Sequence, residues 1–513
     1  MQIIEDKALL VSVDDPSVVT NKIKKSAHTS EGVLVNWGYR EAEALVKLGI
    51  DAPSPILRDY TWTGRYTPFE HQKTTSSFLS LRERAFCFNE QGTGKTASVI
   101  WAADYLMKKG VIKRVLVLCP LSIMKSAWQQ DVFKFAMHRS CSVAHGSAKQ
   151  REKVIQAGAD IVVINFDGVA TALDAIMAGG FDLIVVDEAS AYKNAQTNRW
   201  KILNKIVKET SPRVWMLTGT PAAQSPLDAY GLARLLETPK CPKYFGPFRD
   251  SVMRPISKFK WAPKPHANAV VHEMLQPAIR FEKKDCLDLP DVVHVEREVD
   301  MTPQQRKYYN QLKSQLLIEA AGEEVSAVNA ATRVNKLLQI SGGAVYTDDG
   351  QVLEFDVSNR ITAVLEVINE TSNKVLVFVP FTHTIDLLVA RLEREGISCD
   401  IISGKVPVNR RSDIVTKFQN DPDPKVLVIQ PQAASHGLTL TAADTIIWYA
   451  PVTSVETYLQ ANARIDRPGQ KNAMTIMHIR GSEVESHLYK MLQGNVANHE
   501  RLIDLYRNML DTV

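Results

Sequence analysis

NEQGTGKT, Asn89 to Thr96, stands between an apolar segment (Ala85 to Phe88) and a helix-forming run, and LIVVDEAS, Leu183 to Ser190, follows about ninety residues later. A strand, a glycine-rich loop and a helix in that order are the building unit of a parallel α/β sheet. The loop residues Gln91, Gly92, Thr93 and Gly94 are suited to wrapping backbone amides around phosphate oxygens at a helix N-terminus. Lys95 brings charge for the β- and γ-phosphates, and the Thr96 hydroxyl can reach Mg²⁺. Asn89 occupies the place where the general phosphate-loop pattern has its first glycine. A bare GxGKT also fits a chance loop with a surface lysine, and the second motif decides against that. A buried strand ending in Asp187-Glu188 sets one carboxylate near Mg²⁺ and the next near an attacking water. Together the two stretches imply binding and hydrolysis of a nucleoside triphosphate.

The pattern around the loop extends the fold. RVLVLCP, DIVVINF, DLIVVDE and RVWMLTG are β-rich runs bounded by turns or helix starts, as a parallel sheet covered on both faces requires. The alternation begins again after Asp285, with KVLVFVP, KVLVIQP and DTIIWYA as strands and Thr384 to Gly396 as a helix between them. Two tandem α/β domains are expected, at 63–285 and 286–513, the second ending in helices. Leu236 to Pro265 is rich in Pro, Lys, Arg and aromatics and reads as an irregular or short-helical insertion. Leu289-Pro290-Asp291 and the mixed-charge VVHVEREVDM after it read as the crossing between domains, and Met301 to Ile340 as long helices. Residues 1–62 lack the motifs; LLVSV and VLVNW could be strands around a Lys-rich helix (Val18 to Lys25), forming a small separate module.

Composition is compatible with this division. A chain of 513 residues, 45% hydrophobic, can fill two or three cores, since single cores stop growing near ~250 to 300 residues. No apolar run approaches the ~18 residues of a membrane span, and the N-terminus has no signal-peptide pattern. A cytoplasmic location is expected, with no membrane partner. Six cysteines without a CxxC pair argue against zinc and against a disulfide framework, and read as reduced, mostly core residues. A net charge of +4 leaves the partner open, so a nucleic-acid site must come from local clustering.

QANARIDRPGQ, Gln460 to Gln470, carries two arginines three residues apart, read as one helical face able to reach phosphates across a cleft. With it, the chain resembles the superfamily-two helicases, and within them the SWI/SNF-type double-stranded-DNA translocases, over about four-fifths of its length, roughly Tyr66 to Gln470. The resemblance implies two RecA-like domains with an ATP cleft between them, and ATP and Mg²⁺ as nucleotide and metal. TPFEHQ resembles the adenine-reading motif and gives Gln72 that role. CPLSIMKSAWQQD resembles the first DNA-tracking motif, with Ser122, Lys125 and Trp128 in matching positions, and NFDGV the next, with Asn165. LTGTP resembles the coupling motif, where Thr218 and Thr220 relay nucleotide state to the DNA face. VFVPFTHTIDLL, SGKVPVNRRSDIVTKFQ and SHGLTLTAAD resemble strand-tracking motifs of the second domain, with Ser435 and Thr439 as contacts. Gln460, Arg464 and Arg467 match the arginine-finger motif.

The chain departs from the family pattern in places. Ala189-Ser190 follows the acid pair, although Lys193-Asn194 keeps the SWI/SNF form; Pro226 stands where Gln-Asn is usual after TGTP and is closer to the annealing-helicase branch; Ala463 and Asp466 replace an acid and a histidine. The resemblance implies translocation on duplex or branched DNA without ordinary strand separation, by a compact enzyme of bacterial or phage type. A monomer is expected, with a recruiting replication or recombination protein as partner. In the insertion, Lys240, Lys243, Arg249, Arg254, Lys258, Lys260 and Lys264 interleave with Tyr244, Phe245, Phe248, Phe259 and Trp261, a mixture suited to backbone neutralisation and base stacking, or to a solvated surface. The N-terminal module is read as a junction-recognising element. The rival readings are a single-strand DNA or RNA unwinding helicase, and a nucleotide-dependent interaction subunit of a defence or restriction complex.

Overall fold

Strands buried on both faces appear in sequence as unbroken apolar runs, and the computed structural model, described for all residues except 65, 223–224, 257–260, 321–326, 347–350, 435–437 and 495–513, sets them side by side in two sheets. Contacts divide the chain into two units: Met1–Ala222 with Pro226–Leu287 in the first, and the residues from Asp288 in the second.

The first unit opens with an antiparallel sheet of β1 (Gln2–Ile4), β2 (Ala8–Val11), β3 (Ser26–Thr29) and β4 (Gly32–Asn36), in the order β1-β2-β4-β3. Only Ser17–Thr20 of the expected Lys-rich segment is helical, and the chain turns from there into β3. Leu9, Val11, Val33, Val35, Trp37 and Leu45 form a small core of its own. The helix Tyr39–Lys47 then packs onto the rest of the unit: Tyr39 Oη donates to Ser80 O at 3.2 Å, and the Glu43 carboxylate accepts from Arg213 at 2.5 Å.

The large sheet of this unit is wholly parallel. Its strands are β5 (Arg84–Cys87), β6 (Val115–Cys119), β7 (Cys141–Ala144), β8 (Ile161–Asn165), β9 (Leu183–Asp187) and β10 (Arg213–Leu217), joined after the hairpin β11 (Met253–Pro255) and β12 (Trp261–Pro263) by β13 (Ala278–Ile279). The order is β13-β5-β10-β9-β6-β8-β7. Every residue of β6, β8 and β9 is buried, because helices cover both faces. Two cores result, one around Leu116, Ile164 and Val186, the other around Trp101, Val117 and Val185.

In the second unit β14 (Val292–Glu298), the hairpin β15 (Ala344–Tyr346) and β16 (Val352–Glu354), β17 (Lys374–Phe378), β18 (Cys399–Ile402), β19 (Val426–Ile429), β20 (Ala443–Trp448) and β21 (Met474–Arg480) follow. All but the hairpin form one parallel sheet, ordered β14-β21-β20-β17-β19-β18. The segment read as a crossing is therefore an edge strand, with Val292 to Glu298 paired along Met474 to Arg480. Helices Pro303–Ala320, Ala327–Gly342 and Thr382–Arg394 stand where long helices were expected. All six cysteines are unpaired; Cys87 and Cys119 are buried and the other four half-buried. Among the described residues no helix is long and apolar enough to cross a membrane.

Candidate nucleotide site

Ligand sites of open parallel sheets lie beyond the C-terminal ends of the strands, and there the first unit gathers its motifs. The phosphate loop follows β5, Asp187 ends β9, Thr218 follows β10, the Leu121–Gln129 segment follows β6, and Asn165 ends β8. Gly92 and Gly94 have φ of +86° and +80°, the left-handed region open to glycine. Asn89 has no positive φ, so glycine is not needed there. Its side chain braces the loop instead: Nδ2 donates to Thr75 Oγ1 at 2.8 Å, and Oδ1 accepts from Phe281 N at 3.0 Å. Glu90 extends the brace, accepting from Lys283 N at 2.8 Å.

Lys95 opens the helix Lys95–Lys108 and donates to two loop carbonyls, Asn89 O at 2.9 Å and Glu90 O at 3.2 Å. Gln72 lies against the same loop. Its Oε1 accepts from Phe69 N at 3.0 Å, and Nε2 donates to Thr93 O at 3.1 Å, which His71 Nε2 also contacts at 2.8 Å. A Cβ at Gly94 would overlap the Gln72 amide. Gly219 of the LTGTP stretch packs 3.7 Å from Asn89 O and Gln91 N, measured from where its Cβ would stand. Thr218 is 1% exposed, and its Oγ1 accepts from Thr220 N at 3.2 Å. Two buried polar atoms at this edge, Gln91 Nε2 and Thr220 Oγ1, have no protein partner. Buried polar atoms are normally satisfied, and phosphate or metal-bound water would satisfy both.

Asp187 and Glu188 are held differently. Asp187 is buried; its Oδ2 accepts from Trp128 Nε1 at 2.9 Å and its Oδ1 from Glu188 N at 3.0 Å. Burial pushes its carboxyl above the usual carboxylate range, opposed by the Trp128 bond and then the Lys95 charge. Glu188 has φ +54° and ψ +55°, a left-handed conformation that costs a non-glycine residue on the order of 1 to 2 kcal/mol and recurs at functional positions. Lys193 pairs with Asp228 at 3.3 Å, tying the stretch after the acid pair to the turn Pro226–Asp228. Hard oxygen donors, a carboxylate and the Thr96 hydroxyl, suit Mg²⁺, which takes one or two carboxylates plus substrate phosphates rather than a protein cage. No cluster of three or more His, Cys, Asp or Glu able to hold a metal occurs among the described residues.

The DNA-tracking assignments divide. Lys125 is exposed and Ser122 half-exposed. Trp128 is 1% exposed and spends its indole N–H on Asp187, so it is not a DNA-facing residue; its apolar bulk belongs to the core of Trp101 and Val132. Asn165 is 9% exposed and its Oδ1 accepts from Arg151 at 2.8 Å. In the insertion Phe248 is wholly buried and stacks on Tyr230 at 5.4 Å, which removes it from base stacking. Tyr244 is 65% exposed, Arg249 lies over Trp261, and Lys264 donates to Asp250 O. Lys258, Phe259, Lys260 and Ser435 lie outside the described residues.

In the second unit the arginine pair is not on a helical face. The helix Val455–Asn462 ends before it, and Arg464 and Arg467 occupy the turns that follow. Both guanidinium groups donate to Leu438 O, at 3.1 and 3.2 Å, and Arg467 also reaches Thr439 Oγ1 at 2.7 Å. Arg464 is 4% exposed and its Nε donates to Gln460 O at 2.8 Å. Gln460 is itself buried, its amide 3.3 Å from Glu456. Thr439 is exposed apart from that bond, so the arginines and the 438–439 segment form one linked element.

The chain matches the model of the SNF2-related domain over residues 71–343 and that of the helicase conserved C-terminal domain over 359–469. It is 26% identical over 400 residues to an uncharacterized ATP-dependent helicase of Mycoplasma genitalium, covering 76% of this chain and 37% of that one. It is 25% identical over 428 residues to putative protein p41 of Acyrthosiphon pisum secondary endosymbiont phage 1, covering 80% of this chain and 90% of the phage protein. The chain thus spans little over a third of the mycoplasma relative but most of the phage one. Among solved structures, the Sulfolobus solfataricus SWI2/SNF2 ATPase core in complex with dsDNA is similar at a TM-score of 0.42 and 22% identity, covering 88% of this chain and 94% of that one. With more than half its length matched by the first of these models, the chain belongs to the SNF2-related domain family and carries a helicase C-terminal domain behind it.

Proposed function

We propose that the chain hydrolyses ATP with Mg²⁺ and uses the cycle to translocate on duplex or branched DNA. The observation that carries this reading is the gathering of Lys95, Thr96, Asp187, Glu188 and the unpartnered Gln91 Nε2 and Thr220 Oγ1 at one sheet edge, in a chain of the SNF2-related family. Lys95 exchanges its two loop carbonyls for phosphate oxygens, while Gly92 and Gly94 leave the backbone amides room to approach them. Thr96 and Asp187 would hold Mg²⁺, which would supply charge neutralisation of the β- and γ-phosphates. Glu188 orients the attacking water and accepts its proton. Arg464 and Arg467 supply the completing positive charge in the family manner, and a phosphate competes with Leu438 O for them.

Gln72 serves as the adenine-side contact, exchanging its bond to Thr93 O for the base. Ser122, Lys125 and Thr439 are the described positions that take phosphate oxygens of DNA, giving sequence-independent tracking. The finer reading is DNA remodelling in replication, recombination or repair by a cytoplasmic monomer of bacterial or phage-infected cells, directed by a recruiting protein. The likeness to a phage protein over most of that protein's length supports the bacterial or phage setting.

The test is the ATPase rate with no nucleic acid, blunt duplex, forked duplex, single-stranded DNA and RNA, with Glu188→Gln as blank. Stimulation by duplex or fork, and retained ATP binding without turnover in the variant, are expected. A rate stimulated mainly by single strands overturns translocation on duplex in favour of an unwinding helicase. An unaltered rate in Glu188→Gln overturns the assignment of the base, and a rate indifferent to every nucleic acid favours an interaction subunit.

A further inference from the structure

The Leu121–Gln129 segment presents two faces. After a tight turn at Leu121–Ile123 the backbone forms one π-helical turn, Met124–Gln129, before the helix Gln130–Phe135. Such π-turns are rare, and they concentrate at functional sites. Outward, Leu121 is 42% exposed and Lys125 exposed; inward, Met124 and Trp128 are 2% and 1% exposed. The inward tryptophan ends on Asp187, the indole nitrogen 2.9 Å from Oδ2. Asp187 Oδ1 is fixed by Glu188 N at 3.0 Å, so each carboxylate oxygen has one donor and keeps acceptor capacity for a cation.

We infer that Trp128 is a positioning residue: its indole N–H holds the Asp187 carboxylate in the orientation that receives Mg²⁺, and so links the Leu121–Gln129 segment to the metal side of the nucleotide site. This rests on the ATP-site reading above. A carboxylate whose rotamer is already fixed loses less freedom on binding a cation, and outer partners of metal ligands commonly carry about 10- to 100-fold of metal affinity. The indole is a donor only, so it favours the arrangement in which Oδ2 accepts. A residue that only packs in the core would leave this position open to an apolar replacement of similar shape; a residue orienting a ligand carboxylate needs the N–H.

The experiment is a fluorescent-ADP titration of the full chain, with and without EDTA, read as the Mg²⁺ concentration that half-restores tight binding. Trp128→Phe removes the N–H. Replacing Trp128 with 3-benzothienylalanine keeps the bicyclic shape with sulfur in place of the N–H, so loss of ring volume cannot account for its effect. Trp215→Phe is the control, since Trp215 is also wholly buried in the same core and donates its indole N–H to Arg82 O at 2.9 Å.

Both replacements at 128 should raise the Mg²⁺ midpoint about tenfold or more while leaving ADP affinity in EDTA unchanged, and Trp215→Phe should leave both unchanged. A wild-type midpoint for the benzothienyl protein, or an equal rise in Trp215→Phe, overturns the inference. Failure of the wild-type chain to bind ADP at all removes the nucleotide-site reading, and this inference with it.

Discussion

Asn89→Ala probes the brace under the phosphate loop. The side chain is 1% exposed and ties the loop to the helix Glu70–Ser80 through Thr75 and to the segment after β13 through Phe281. On truncation the Thr75 hydroxyl still donates to His71 O at 2.7 Å, so its loss is one ordinary hydrogen bond, about 1 kcal/mol. The Phe281 N–H keeps no protein acceptor; a stranded donor costs about 1 to 3 kcal/mol, and Phe281 is only half-buried, which puts it at the low end. The sum, about 2 kcal/mol, corresponds to roughly 4 to 8 °C of melting temperature for a unit of this size. Asn89→Asp keeps an acceptor for Phe281 but sets a carboxylate at a position that is 1% exposed, and that desolvation should make it at least as unstable as the alanine variant. Differential scanning calorimetry with and without Mg·ADP reads the effect, and both variants should also bind ADP more weakly, since the loop also carries Lys95. An alanine variant melting within a degree of wild type refutes the brace.

Acid should weaken the second unit through His478, which is wholly buried, 2.8 Å from Tyr458 Oη and stacked at 5.7 Å on His294; burial, then the His294 charge, pushes it from 6.5 down to about 4. Between those values the unfolded chain binds the extra proton, so stability is full above pH 6.5, falls by about 3 kcal/mol as pH drops to 4, and is flat below; His478→Gln should flatten that window in urea titrations, and an unchanged slope would contradict the assignment. Gly94→Ala meets the Gln72 amide and forces a side chain to φ +80°, worth about 1 to 2 kcal/mol from the backbone alone, so nucleotide affinity should fall at least about tenfold in equilibrium titration. Retained affinity there would mean that the loop relaxes away from Gln72.

What the sequence disclosed follows from burial. β6, β8, β9 and β10 are covered on both faces, so they read as apolar runs, and the glycine-rich loop after β5 stands out because Gly92 and Gly94 occupy a conformation few other residues tolerate. β7, β14 and β18 were not legible for the converse reason. They are edge strands, short or half-exposed, and in β14 charge replaces hydrophobicity along Glu296 to Glu298, so the same residues read as a linker. A motif read as a whole does not separate inward from outward side chains. Trp128 shares its motif with Ser122 and Lys125, yet Met124, Trp128 and Val132 recur at i, i+4 and i+8, and all three are buried; that periodicity is present in the sequence and points inward. For the arginine pair it is the local geometry that differs. Spacing alone suggested a helical face, but the helix stops at Asn462 and Arg464 and Arg467 turn back to one carbonyl, Leu438 O, a partner more than twenty residues distant that no local pattern reveals. Asn89 joins the two lessons. It looked like a defect in a glycine pattern, but its backbone needs no left-handed conformation, and the position is free to carry a side chain that fastens the loop to Phe281, on the stretch of chain leading to the boundary at Leu287.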